Sequence, residues 1–79
     1  MAKVVFSGGL RAMTGEDAVE LEAARVVDLV EALYARYPVL QGRLENATVA
    51  IDGTLYNDAR FQRLRPTSEV HFLAPLAGG

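Results

Sequence analysis

The chain switches between two hydrophobic periods, and each switch marks an element. From Lys3 to Ser7 the apolar residues Val4, Val5 and Phe6 run without a polar break. β-Branched and aromatic residues favour the extended state, and apolar side chains on both faces mark a strand inside a sheet. Ser7-Gly8-Gly9 ends that run, and Leu10 and Met13, three apart, fit one helical turn before Thr14-Gly15. Ala18 to Ala23 then alternates, Val19 and Leu21 against Glu20 and Glu22, which predicts a strand with one buried and one wet face. With residues 14–17 as the turn region, these two strands are expected to pair antiparallel.

Val26, Leu29, Val30, Leu33 and Tyr37 follow the 3.6-residue period and predict a helix over 26–37. Asp28 and Arg36 complement its dipole, Arg25 is a poor N-cap, and Pro38 ends it by disfavouring helical geometry at the preceding residue. Residues 40–46 read as a polar, mixed loop or short turn. Thr48 to Asp52 predicts a strand with Val49 and Ile51 inward, Asp52-Gly53 a tight turn, and Thr54 to Asn57 a short returning strand. Residues 58–66 form a charged connection carrying Arg60, Arg63 and Arg65, which Phe61 and Leu64 are expected to pin to the domain. Ser68 to Ala74 is the last strand, with Val70, Phe72 and Ala74 on one face and His71 and Leu73 on the other.

One helix among four or five strands has to cover one face of one sheet. The order predicts an α+β domain of the β-grasp (ubiquitin-like) type, a mixed sheet of four to five strands with one main helix packed on one face. The first and last strands are expected side by side and parallel in its centre, reached through a right-handed crossover. A ferredoxin-like fold needs a second helix, which Pro38 and Gly42 oppose between Arg36 and Asn46. The domain spans 1–74, and 75–79 are expected to be a flexible tail.

That tail changes the picture. Pro75 lacks an N–H and stops the strand ladder. Gly78 and Gly79 carry no Cβ, so they fit a channel too narrow for any side chain and leave the Gly79 α-carboxylate as the only reactive group there. At average glycine usage a chain ends in two glycines about 0.5% of the time, so chance is a weak explanation.

Composition excludes several functions. Seventy-nine residues, 51% of them hydrophobic, make one domain and not a disordered chain. There is no cysteine, which removes thiolate metal sites, disulfides and cysteine nucleophiles. A net charge of −2 and a pI near 5.2 provide no footprint for nucleic acid. No apolar run reaches 18 residues and no signal-peptide pattern follows Lys3, so no membrane association and a cytoplasmic location are expected. His71 is the one histidine and is expected to serve surface packing rather than metal binding or acid–base work. Glu16-Asp17, and Asp52 with Asp58, are expected as turn residues, and the three arginines as a solvated loop before a patch for an acidic partner.

Several stretches resemble the MoaD/ThiS group of ubiquitin-like sulfur carriers, and within it the molybdopterin synthase small subunit (MoaD-like). They are Lys3-Val4-Val5-Phe6 with Leu10-Arg11, Thr14-Gly15 and Val19-Glu20-Leu21; Leu33-Tyr34-Ala35-Arg36-Tyr37-Pro38 with Leu40 and Arg43-Leu44; Val49-Ala50-Ile51-Asp52-Gly53; Glu69-Val70 with Phe72-Leu73; and the tail from Ala74 to Gly79. Three features depart from the family's pattern: Thr67-Ser68, Ala74 in place of a first proline, and Ser7-Gly8-Gly9 beside the partner-binding face.

The resemblance implies a carrier with no catalytic group of its own and no permanently bound cofactor. A ubiquitin-activating-type adenylating enzyme uses ATP to activate Gly79, a persulfide donor converts it to a thiocarboxylate, and the molybdopterin synthase large subunit receives the tail. The chain's lack of a phosphate-cradling loop agrees with activation by a separate enzyme. Gly78 and Ala77 then supply slimness, Pro75 a stiff exit, and Leu55, Leu73 and Leu76 the candidate docking surface, with Leu55 and Leu73 equally expected to complete the core. The alternatives are sulfur delivery in thiamine, cysteine or tRNA thiolation pathways, or a ubiquitin-like modifier joined through Gly79 to a lysine.

Overall fold

The N-terminal apolar run forms β1 (Ala2–Val5) in the computed structural model, which describes residues 1–45 and 47–73. Ala2, Val4 and Phe6 are buried while Lys3 is exposed, so the inward set has the strand period of two. β2 (Ala18–Leu21) pairs with it antiparallel, Val4 opposite Val19 and Val5 opposite Ala18. As expected from its alternation, β2 turns Glu20 to solvent and half-buries Val19 and Leu21.

Between them lies a helix longer than the single turn expected, α1 (Gly8–Thr14). The glycines that stop β1 are its first turn. The helix ends at Gly15, whose φ of 74° closes the last turn through an N–H donated to the Arg11 carbonyl at 2.9 Å. Seven residues do not sustain a helix in water. Burial of Leu10 and packing against the turn at Pro38–Leu40 hold this one.

α2 (Val26–Arg36) is the predicted main helix, ending one residue early, and Val26, Leu29 and Leu33 are buried on it. Arg25 makes no side-chain cap. The loop after the fourth strand replaces it: Val26 and Val27 donate their N–H groups to the carbonyls of Gln62 and Arg60 at 3.0 and 2.8 Å. Tyr37, just past the end, packs its ring edge-on against Phe6 at 5.5 Å and donates its hydroxyl to Glu16. Burial and the Glu16 hydrogen bond raise the Tyr37 pKa.

The stretch after α2 corrects the sequence reading. Residues 40–46 were expected as a polar, mixed loop or short turn; the turn is present, yet Leu40 and Leu44 are buried in the core. A 3₁₀ turn at Pro38–Leu40 swings Leu40 inward, and the Tyr34 hydroxyl accepts the Leu44 N–H at 3.1 Å while donating to Glu45 at 2.9 Å. Two apolar residues four apart among polar ones showed no period long enough to read.

β3 (Thr48–Ile51) buries Val49 and Ile51, and β4 (Thr54–Tyr56) returns from it antiparallel. Asp52 and Gly53 join them with φ of 50° and 89°, the two left-handed residues that a tight hairpin needs. β5 (Glu69–Leu73) lies between β1 and β3, parallel to β1 and antiparallel to β3, and the sheet order is β2-β1-β5-β3-β4. The chain is a β-grasp: one mixed five-stranded sheet, α2 packed on one face, and α1 added. Val4, Val70, Leu29, Leu33 and Leu40 sit at its centre, each stabilising the fold by about 1.5–3 kcal/mol through burial. Within the connection 58–66, Ala59 and Leu64 are buried, but Phe61 is 70% exposed and does not pin the loop. No described helix is long and apolar enough to cross a membrane.

Candidate functional site

The sheet face opposite α2 has no layer over it among the described residues. Register fixes which side chains share that face, because residues directly opposite in a ladder project to the same side. One row crosses all five strands: Ala18, Val5, His71, Ala50 and Leu55. A second runs Glu20, Lys3 and Glu69, and a third pairs Leu73 with Thr48. Apolar and small side chains therefore occupy the middle, with charges at the end where β5 begins.

Leu55 and Leu73 stand on either side of β3 on this face, 63% and 46% exposed. Neither completes the core. Two strand spacings across and two residues along the strands separate them, roughly 12 Å, so one protein seated on this face can cover both. Ala50 between them, and Val5 beyond β5, were not singled out as docking residues from the sequence, although their alternation with buried Val4, Val49 and Ile51 places them outward. His71 is central in the row and pairs through Nε2 with a Glu69 carboxylate oxygen at 2.9 Å.

The start of β5 is clamped. Asp52 donates its backbone N–H to the Glu69 carbonyl and accepts the Glu69 N–H on Oδ1, both at 2.9 Å, while Arg65 reaches Oδ2 at 3.2 Å. The Glu69 N–H and the Arg65 guanidinium hold the Asp52 carboxyl below its usual pKa. Ser68, buried, accepts the Arg65 N–H at 2.9 Å, and the Lys3 N–H donates to the Ser68 carbonyl at 2.9 Å. These bonds, with ladders on both sides, fix where Leu73 leaves the sheet.

Pro75, Leu76, Ala77, Gly78 and Gly79 lie outside the described residues, as does Ala74. Among the described residues no three His, Asp or Glu side chains are grouped to hold a metal ion. The arrangement leaves an uncovered, largely apolar surface next to the end of β5, with Asp52 paired to Arg65 and Glu69 to His71.

The sequence model of the ThiS family matches residues 4–79. Solved structures share the fold. A chain in the Amycolatopsis orientalis BexX/CysO complex is 20% identical at a TM-score of 0.84, over 100% of this chain and 100% of that one. Small archaeal modifier protein 1 (SAMP1) from Methanosarcina acetivorans is 22% identical at a TM-score of 0.81, over 99% of this chain and 95% of that one. In the complex of subunits 1 and 2 of the molybdopterin-converting factor from Helicobacter pylori, a chain is 22% identical at a TM-score of 0.68, over 99% of this chain and 97% of that one. No curated protein sequence matches the chain.

Proposed function

The chain belongs to the ThiS family, and from that premise we propose that it is a cytoplasmic sulfur carrier serving as the small subunit of a molybdopterin synthase. The observation that carries this reading is the uncovered face holding Leu55 and Leu73 beside the end of the central strand, from which six residues lead to Gly79. A partner seated on that face receives the tail in a defined direction. Two of the similar structures are complexes with a second protein.

A carboxylate is a poor electrophile. A ubiquitin-activating-type enzyme forms the Gly79 acyl adenylate from ATP, releasing pyrophosphate. The outer sulfur of a persulfide then attacks the acyl carbon and AMP leaves. Reductive cleavage of the resulting S–S bond by a thiol frees the thiocarboxylate. In the large subunit that sulfur passes to the pterin precursor, and water restores the carboxylate. This chain supplies the slim tail of Pro75, Leu76, Ala77, Gly78 and Gly79 and the docking face, and its partners supply every catalytic group.

The test is reconstitution with a molybdopterin synthase large subunit. Sulfur transfer is expected from the thiocarboxylated chain and not from one lacking Gly79 or extended by one residue; unchanged activity in either variant refutes the reading. Likeness to SAMP1 favours a second reading, a protein modifier joined through Gly79 to lysines. Mass spectrometry of the protein from its own cells separates the two: exchange of one oxygen for sulfur marks the carrier, and conjugates to other proteins mark the modifier.

A further inference from the structure

The helix side of the molecule carries a feature that neither the fold nor the proposed tail chemistry uses. Arg25, just before α2, and Arg63, in the connection after β4, form an isolated antiparallel bridge. The hydrogen bonds flanking it run from Val26 N–H to the Gln62 carbonyl at 3.0 Å and from Leu64 N–H to the Ala24 carbonyl at 2.8 Å. Arg25 and Arg63 are thus a non-hydrogen-bonded pair, the kind that brings opposed side chains closest. Like charges placed directly opposite destabilise a ladder. Both arginines are exposed, and among the described residues neither meets a carboxylate: the acidic groups that pair do so with Arg11, Arg60, Arg65 and His71.

Beside this pair Phe61 is 70% exposed, with the Arg60 guanidinium 5.8 Å above its ring. An aromatic ring held out of the core by a loop that buries its neighbours Ala59 and Leu64 is an unused apolar contact. Phe61 and Arg63 lie two residues apart in the connection, and the bridge sets Arg25 opposite Arg63, in a chain whose net charge is −2. Arginines and aromatic rings are the side chains that most often anchor a protein partner.

We propose that Arg25, Phe61 and Arg63 form a second docking surface, for an acidic peptide segment of a partner protein in which carboxylates flank an aromatic side chain. The carboxylates bind between Arg25 and Arg63, and the aromatic side chain packs on Phe61. The positive charge is local. Glu22, Asp28 and Asp58 border it in the sequence, so a short acidic segment finds a complement here while an extended polyphosphate backbone meets repulsion on either side. The surface is on the opposite side of the sheet from Leu55 and Leu73, and its use does not depend on Gly79.

The test is a titration of the full-length ¹⁵N-labelled chain with the acetylated, amidated peptide Asp-Glu-Phe-Glu-Asp. Amide shifts are expected to centre on Arg25 and on Arg60 to Arg63, and to weaken as salt rises. Arg63→Glu should reduce affinity by about tenfold or more while raising the melting temperature, because it replaces a like-charged cross-strand pair with an opposite one. Phe61→Ala should weaken binding with the melting temperature unchanged. The proposal is overturned by the absence of shifts at millimolar peptide, by shifts centred on Val5, His71 and Leu73, by undiminished binding to Arg63→Glu, or by tighter binding of a short oligothymidine. Concentration-dependent shifts of the same amides without peptide also overturn it, since they would assign the surface to a second copy of the chain.

Discussion

Val4 in β1 and Val70 in β5 stand directly opposite each other in parallel register, and neither exposes any surface. This pair joins the two ends of the chain at the sheet centre. Val70→Ala removes two buried carbons and leaves a cavity, so it should cost about 2 kcal/mol of stability. Chemical denaturation measures the loss. A change below about 0.5 kcal/mol, the range of surface substitutions, would show that the centre of the sheet does not hold the fold.

Leu55 and Leu73 should separate stability from docking. Each is an exposed side chain on the uncovered face, so Leu55→Lys and Leu73→Lys are expected to change stability by no more than about 0.5 kcal/mol. On the proposed function, affinity for a molybdopterin synthase large subunit should fall at least about tenfold, as for apolar anchors at an interface centre. Calorimetry with each variant decides it, and undiminished affinity would remove this face from the docking role.

Asp52 makes stability sensitive to acid. Its pKa in the folded chain is lowered, first by the Glu69 N–H and then by Arg65. A lowered folded pKa means that the contribution is present above the unfolded value of 3.8 and is lost as pH falls through the lower, folded value. Asn accepts the same N–H and tolerates the positive φ of this position, so Asp52→Asn removes the charge and keeps the turn. The stability of Asp52→Asn should fall less steeply below pH about 4 than that of the unmodified chain. Identical acid limbs would refute the assignment.

Tyr37 acts at the other end of the pH scale. Its pKa is raised by burial and by the hydrogen bond to Glu16, so its contribution is complete below the unfolded value of 10.0 and is lost as pH rises through the higher, folded value. Tyr37→Phe keeps the ring against Phe6 and deletes the hydroxyl. Its expected cost at neutral pH is about 1 kcal/mol, and its stability should decline less between pH about 10 and 11 than the parent's. Tyr34, also raised by burial, retains its own alkaline step in that variant.

Periodicity carried most of the fold. Val26, Leu29 and Leu33 repeat often enough to define a helix face, and Val49 with Ile51, or Val19 with Leu21, define strand faces by alternation. The burial of Leu40 and Leu44 was illegible because it depends on a 3₁₀ turn and on the Tyr34 hydroxyl, ten residues before Leu44, not on a repeating pattern. Phe61 failed in the other direction: an aromatic residue reads as buried, but the backbone of its loop is committed to closing the start of α2, and that geometry turns its ring outward.

By itself the sequence determined which residues seek burial, where the chain must turn, and that no cysteine is present to carry thiolate chemistry. These follow from local properties: side-chain transfer, backbone freedom at glycine and its loss at proline. The tertiary structure decided which outward residues are neighbours. Leu55 and Leu73 are 18 positions apart, and Arg25 and Arg63 are 38 apart, and only strand order and register bring each pair onto one surface. Register is a long-range property, set where Val4 meets Val70, and no local pattern contains it.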